Sequence, residues 1–172
     1  MLLNLELLSH QDDQSLLEFE RVNQSWFESY VPPRETGFYT ESGMTQHISE
    51  CLDLHERDEM LPMLIKDDIG NIIGRINLHS IDLDERTAHL GYRIAKNAIG
   101  NGVATTASRK VIELCKGYFQ LESLIALAAT DNIASQRVLT NNGFVKTRTH
   151  TNYTRLKGVL IHCIEYQKII AY

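Results

Sequence analysis

The sequence has few cysteines, and their arrangement gives no disulfide framework. Cys51, Cys115 and Cys163 are odd in number and widely spaced, with no CxxC pair. We interpret them as reduced thiols, which predicts a cytoplasmic protein. The seven histidines form no HxH or HExxH pair. His47 and His55 are too far apart along a predicted helix to share a metal ion, so we expect no metal site.

Long apolar runs and clusters of basic residues are also lacking. No run reaches the roughly 20 residues that cross a bilayer. The opening sequence MLLNLELLSHQDD has no basic region ahead of its leucines, so we expect neither a secretory signal nor membrane binding. The net charge is −5, and lysine and arginine are dispersed, which argues against direct binding to nucleic acid.

The composition is that of a single globular domain. Its 172 residues are 43% hydrophobic and 23% charged, with three prolines and no repeat or linker. Hydrophobic spacing predicts the order β-α-α-β-β-β-α-β-α-β-β, a mixed α/β sheet with a crossover near its middle. The first half is predicted to contain a strand with Leu3, Leu5 and Leu7, a helix capped by Asp12 or Asp13, an aromatic loop at 26–39, a helix at 44–59 and a hairpin that turns at 67–70. The second half is predicted to contain a strand at 87–95, a helix from Val103, a strand at 121–129, a helix ending near Gly143, and strands near 144–151 and 158–169. The apolar side of the first helix is predicted to include Val22, and that of the helix from Val103 is predicted to include Leu114.

One segment predicts a binding site for phosphate. In GYRIAKNAIGNGVATTA, residues 91–107, a strand leads through Gly100 and Gly102 directly into a helix. Such a junction directs unpaired N–H groups and the positive helix end at one point, and glycine lets a phosphate approach the main chain. A plain strand–helix turn explains the glycines equally well. A dinucleotide-binding fingerprint fits less well, because the third glycine and an early βαβ unit are absent.

A second segment, DNIASQRVLTNNGF at 131–144, identifies the family. The two segments, separated by one helix and one strand, resemble the acetyl-CoA-binding motifs of the GNAT N-acetyltransferases. The N-x-x-S start and N-G-F end are similar to the RimJ/RimL type, which acetylates ribosomal proteins. The resemblance implies the GNAT fold over residues 1–172: a single α/β domain with a mixed, mostly antiparallel central sheet and about four helices.

The resemblance also implies which residues bind acetyl-CoA, the cosubstrate. Main-chain groups of Ile94 and Ala95 should contact the pantetheine. Asn132 matches a cofactor-contacting asparagine, although a helix N-cap is an equally good interpretation. Ile99 stands where the family has Gln or Arg, and Asn101 where relatives often have a basic residue, so side-chain support for the phosphates is thin. The pyrophosphate should be held by the amides of Gly100, Asn101, Gly102, Val103, Ala104 and Thr105.

The catalytic residues implied by the resemblance are Ser135 and His89. Ser135 matches a serine thought to protonate the leaving thiolate, and Leu139 stands where many relatives have a tyrosine acid. His89 lies where relatives often have a glutamate base, and an imidazole can accept a proton near neutral pH. An exposed serine and a structural histidine remain the alternatives. Thr154 occupies a further position that is a glutamate in relatives, so no carboxylate base is evident.

We expect acetyl transfer to a primary amine, most readily the N-terminal α-amine of an alanine or serine in a ribosomal or other protein. An α-amine of pKa about 7.7–8.0 is about one quarter neutral near pH 7.4, whereas lysine is neutral in only about one part in a thousand. A site without a strong base therefore suits an α-amine. The alternatives are a small amine (an aminoacyl-nucleotide, a polyamine or an aminoglycoside) and a non-enzymatic CoA-binding module. The sequence leaves monomer and homodimer open.

Overall fold

The computed structural model describes residues 3–170, apart from the side chain of Tyr118, and forms one seven-stranded sheet with five α-helices. The strand order is β1-β2-β3-β4-β5-β7-β6. Each neighbouring pair of described strands is antiparallel except β4 and β5. This confirms the predicted mixed, mostly antiparallel α/β fold. The strands are β1 Asn4–Leu7, β2 Leu61–Lys66, β3 Ile72–Asp82, β4 Thr87–Ile94, β5 Ser123–Ala129, β6 Val145–Leu156 and β7 Val159–Ile169.

The structure has one short α-helix more than the four that were expected. The helices are α1 Asp13–Val22, α2 Gln24–Phe27, α3 Glu41–Glu56, α4 Val103–Leu114 and α5 Ile133–Asn141. The four-residue α2 and a 3₁₀ turn at Thr36–Tyr39 lie in the predicted aromatic loop, where prolines and a glycine prevent a continuous helix. No helix in residues 3–170 is long and apolar enough to cross a membrane.

The sheet opens where its two parallel strands meet. The ladder between β4 and β5 covers only Thr87–His89 opposite Ser123–Ile125. Beyond these residues, β4 remains paired with β3 through Ile94 and β5 remains paired with β7 through Ala129. The second halves of β4 and β5 therefore border a gap in the centre of the sheet. The crossover helix α4 connects the two strands.

The helices cover opposite faces of the sheet. Glu20 of α1 and His47 of α3 both contact Arg75 of β3. Tyr92 of β4 contacts Ser135 of α5. Arg75 pairs with Arg93, whose neighbour Tyr92 points to the other side because side chains alternate along a strand. We call the α1/α3 side the front face and the α4/α5 side the back face.

Three details of the helices differ from prediction. Val22 is 76% exposed and Leu114 is 41% exposed, so neither belongs to the buried side of its helix. The Asp12 side chain does not cap α1. Its carboxylate accepts hydrogen bonds from the N–H and hydroxyl of Ser9, at 2.9 Å each, across a preceding 3₁₀ turn. The three cysteines are buried free thiols.

Candidate active site

A cavity of about 430 Å³ lies at the gap in the sheet and is lined from both faces. Ala126 and Leu127 line it from β5. Its back wall includes Leu90, Tyr92, Ser135 and Leu139, and its front wall includes Val31, Arg34, Arg75, Asn77, His79 and Arg93. The cavity therefore joins the α4/α5 side of the sheet to the α1/α3 side, so two molecules can meet within it.

The start of α4 presents a row of unpaired main-chain donors. Among the described residues, the N–H groups of residues 100–105 have no hydrogen-bond partner, and the helix ladder begins with Thr106 donating to the Gly102 carbonyl at 2.9 Å. Gly100 and Gly102 have φ of 78° and 72°, the left-handed region that glycine adopts without strain, and space beside both is open. This geometry fits a pyrophosphate. Ile99 and Asn101 are exposed and add no cationic group.

The main chain of β4 supplies further donors at the gap. Ala95 N–H donates to the Ile73 carbonyl at 2.9 Å, and the Ala95 carbonyl accepts from Ala98, so of the main-chain groups of Ala95 only the second lone pair of the carbonyl is open to the pantetheine. Main-chain groups alternate in direction along a strand, so the N–H groups of Tyr92 and Ile94 point towards β5, beyond the end of the ladder. The Ile94 carbonyl accepts the indole N–H of Trp26 at 3.0 Å.

Asn132 and Ser135 start α5 beside this gap. The Asn132 Oδ1 accepts from the Ser135 N–H at 3.1 Å, so the N-cap interpretation is confirmed. Its amide N–H₂ group has no partner among the described residues and is available to a ligand. The Ser135 hydroxyl is half-buried and lies 2.8 Å from the Tyr92 hydroxyl. Burial raises the pKa of Tyr92 to about 12, so its hydroxyl keeps its proton at neutral pH.

His89 does not line the cavity, and a second histidine does. His79, opposite His89 in the β3–β4 pair, is on the cavity wall, with the two rings 5.4 Å apart. Burial, and then the neighbouring His89, lower the pKa of His79 below its usual value, so His79 is neutral at physiological pH. Leu139 is a buried core residue and Thr154 lies away from the cavity on β6. No carboxylate is present among the described lining residues.

The positive charge of the front wall was not predicted from the sequence. Arg75 donates to the buried Glu20 at 2.6 Å and lies 2.8 Å from the His47 imidazole. Arg34 stacks on the Phe38 ring at 4.6 Å, and Arg93 lies 5.4 Å from the Phe27 ring centre. Burial and the nearby arginines lower the pKa of Arg93 to about 10. The available signal was the period-two placement of polar Arg75, Asn77 and His79 in a central strand.

The described residues contain no group of three or more His, Cys, Asp and Glu side chains that could hold a metal ion. The site therefore consists of main-chain donors at α4 and β4, a Ser–Tyr pair on the back wall, and an imidazole with three guanidinium groups on the front wall. This arrangement can hold a phosphate-bearing thioester on one side and an amine on the other.

Known proteins share the sequence pattern and the fold of this chain. The family model described as acetyltransferase (GNAT) domain matches residues 3–145. Two proteins of Bacillus subtilis (strain 168) are each 29% identical: YjcK, named as an N-acetyltransferase, over 86% of this chain and 83% of its own, and YdaF, named as a ribosomal N-acetyltransferase, over 84% and 78%. The crystal structure of ribosomal-protein-S5-alanine acetyltransferase from Vibrio fischeri superposes with a TM-score of 0.93 at 22% identity, covering 98% of this chain and 93% of that one.

Proposed function

Because the chain belongs to the GNAT family of acetyl-CoA-dependent N-acetyltransferases, we propose that its acceptor is the N-terminal α-amine of a protein or peptide. A ribosomal protein is the first substrate to test, since YdaF is named as a ribosomal N-acetyltransferase. The observation that carries the proposal is the absence of a carboxylate among the described residues lining the cavity.

A cavity without a carboxylate favours an amine that is already partly neutral. An α-amine has a pKa of about 7.7–8.0 and lysine one of about 10.4. Arg34, Arg75 and Arg93 on the front wall disfavour a bound ammonium ion, because nearby like charge lowers the pKa of an amine. The same three charges oppose a polyamine, which carries several positive charges. Among the acceptor classes expected from the sequence, an α-amine fits best.

In the proposed reaction, bound acetyl-CoA supplies a thioester carbonyl at the gap in the sheet. The N–H groups of residues 100–105 bind its pyrophosphate at the start of α4. The neutral amine attacks the carbonyl carbon, and the Tyr92 and Ile94 N–H groups stabilise the negative charge that develops on the oxygen. A C–N bond forms and the C–S bond breaks.

Two protons then move. The amine nitrogen loses one proton to His79 or to water. The departing sulfur gains one from Ser135, whose hydroxyl is hydrogen-bonded to Tyr92 at 2.8 Å. The products are an N-acetylated acceptor and free CoA thiol, and no covalent enzyme intermediate is needed. The buried cysteines are not required as nucleophiles.

A thiol-release assay against matched acceptors tests the proposal. The panel contains hexapeptides beginning with alanine or serine, the same peptides with a blocked α-amine and one internal lysine, and spermidine. We expect kcat/KM to be at least about tenfold higher for the free α-amines, following the difference in neutral fraction. Release with spermidine alone would identify a small-amine acetyltransferase. Acetyl-CoA binding by calorimetry without thiol release from any acceptor would indicate a non-enzymatic module.

A further inference from the structure

The front wall of the cavity contains two arginines whose hydrogen-bonding capacity is unused. Within the described residues, neither Arg34 nor Arg93 donates a side-chain hydrogen bond, although each guanidinium carries five N–H donors. The Nε of Arg34 is fully buried and has no partner among the described residues. Buried polar groups are nearly always paired. The unpaired donors therefore indicate a ligand that accepts hydrogen bonds.

The charge of this wall indicates that the ligand is an anion. The cavity lining includes Arg34, Arg75 and Arg93 and no carboxylate. Glu20, which lies behind Arg75, is fully buried and offsets one of the three positive charges. Two positive charges remain without a counter-ion among the residues that line the cavity.

The phosphates of acetyl-CoA do not explain these arginines. Their predicted site is the start of α4, on the back face, whereas Arg75 and Arg93 project to the front face with α1 and α3. The front wall is where the acceptor must enter if the thioester occupies the back. The anionic ligand and the acceptor amine therefore share one compartment.

We propose that the acceptor carries a negatively charged group next to its reactive amine, and that Arg34 and Arg93 bind that group. This inference rests on the proposed function, and for a peptide acceptor the group is an Asp or Glu side chain within the first few residues. Planar guanidinium groups bind carboxylates and phosphates through paired N–H donors. The bound anion also fixes the amine in position for attack.

The test compares acceptors that differ only in charge. Hexapeptides with N-terminal serine carry a single Asp at position 2, 3 or 4, and each is paired with the Asn peptide. Two further pairs test other sources of the anion. Serine is compared with serinamide to test a free carboxylate, and phosphoethanolamine is compared with ethanolamine to test a phosphate. We expect kcat/KM to be about 10- to 100-fold higher for the anionic member of a pair, the scale of hydrogen bonds to charged groups.

Substitutions test whether the two arginines cause the preference for anionic acceptors. Arg34→Gln and Arg93→Gln should each remove most of the preference for the anionic acceptor, and Arg93→Lys should restore part of it. Arg57→Gln, at the exposed end of α3, is the matched control and should retain the full preference. If a glutamine variant does not fold, inhibition of the unaltered protein by N-acetylated Asp and Asn peptides provides the same comparison.

The outcomes separate the two proposals. Equal kcat/KM within every pair, or a preference for the neutral member, would overturn the anion site while leaving peptide acetylation intact. Acetylation of phosphoethanolamine or serine, with no peptide accepted, would support the anion site and reject a protein substrate.

Discussion

Ser135 and Tyr92 form a hydrogen-bonded pair on the back wall of the cavity, where we propose that the thiolate leaves. The thiol of CoA has a pKa near the cysteine reference of about 8.5, so proton donation assists its departure without being indispensable. Because burial raises the pKa of Tyr92 to about 12, this residue remains protonated and can resupply Ser135.

We expect Ser135→Ala to lower kcat by about 10- to 10³-fold, around the usual range for acid catalysis. Tyr92→Phe should cause a loss of similar scale, and the double variant should lose no more than the worse single one, since groups that act as a unit are not additive. Acetyl-CoA affinity, measured by calorimetry, should hardly change. An equal fall in affinity and turnover would instead show that Ser135 serves ground-state binding.

The two stacked histidines differ in their access to the cavity. His79 is on the wall and His89 is not. We expect His79→Gln to lower kcat/KM by about 10²-fold near pH 7, the scale of general-base loss, and by less at pH 9, where the amine is already deprotonated. His89→Gln should have a much smaller effect in the same pH–rate profiles. A larger loss for His89→Gln would restore the role expected for it from the sequence.

At the scale of elements, the start of α4 acts through its main chain, so one substitution tests it. Gly102→Glu places a negative charge where we propose that the pyrophosphate binds. At about 4 Å, repulsion between unit charges near a surface is worth up to about 4 kcal/mol. We expect acetyl-CoA affinity, measured by calorimetry, to fall by about 10²- to 10³-fold.

Two controls separate charge from backbone strain. Gly102→Ala has the same positive φ and open surroundings, without the charge. Gly158→Glu has a φ of +80° and open surroundings in the β6–β7 turn, away from the site. Gly158→Glu should bind acetyl-CoA almost normally, and Gly102→Ala should lose clearly less affinity than Gly102→Glu, because it adds a Cβ and backbone strain but no charge. Binding lost equally in Gly102→Ala would mean that helix geometry, and not phosphate repulsion, causes the effect.

At the scale of the whole molecule, a buried polar network joins α1, α3 and β3. Glu20, Arg75 and His47 are linked at 2.6 and 2.8 Å. Burial, and then the charges of Arg75, Arg34 and Arg93, lower the pKa of His47 to about 3. Below about pH 6.5 the unfolded chain protonates this histidine and the folded protein does not. The stabilisation is thus complete above pH 6.5 and is lost as the pH falls towards 3.

This linkage predicts a measurable pH dependence. For each unit of pH below 6.5, protonation of His47 in the unfolded chain should lower the free energy of unfolding by at most about 1.4 kcal/mol. His47→Gln supplies an amide oxygen that accepts the Arg75 hydrogen bond but does not titrate. In urea unfolding at pH 7, 6, 5 and 4.5, its stability should therefore decline less steeply than that of the unaltered protein. Parallel declines would mean that His47 protonation does not contribute.

The order of elements, the α4 junction and the family can be recognised from the amino-acid sequence alone. These depend on local physics: strand and helix periodicities of 2 and 3.6, the positive φ that Gly100 and Gly102 adopt, and the Asn132 N-cap. Such signals lie within a few neighbouring residues, so they can be recognised without knowing which elements pack together.

The residues that line the cavity are set by tertiary packing. Ser135 meets Tyr92 across 43 residues, and Arg75 meets Glu20 across 55. His79, and not His89, lines the cavity, and His89 lies in the part of β4 that is still paired with β5, opposite Ile125. Arg34 joins Arg75 and Arg93 only after the aromatic loop packs on the front face. The charge of a site is the sum of the charges of all residues that packing brings together. It therefore cannot be predicted from local sequence patterns.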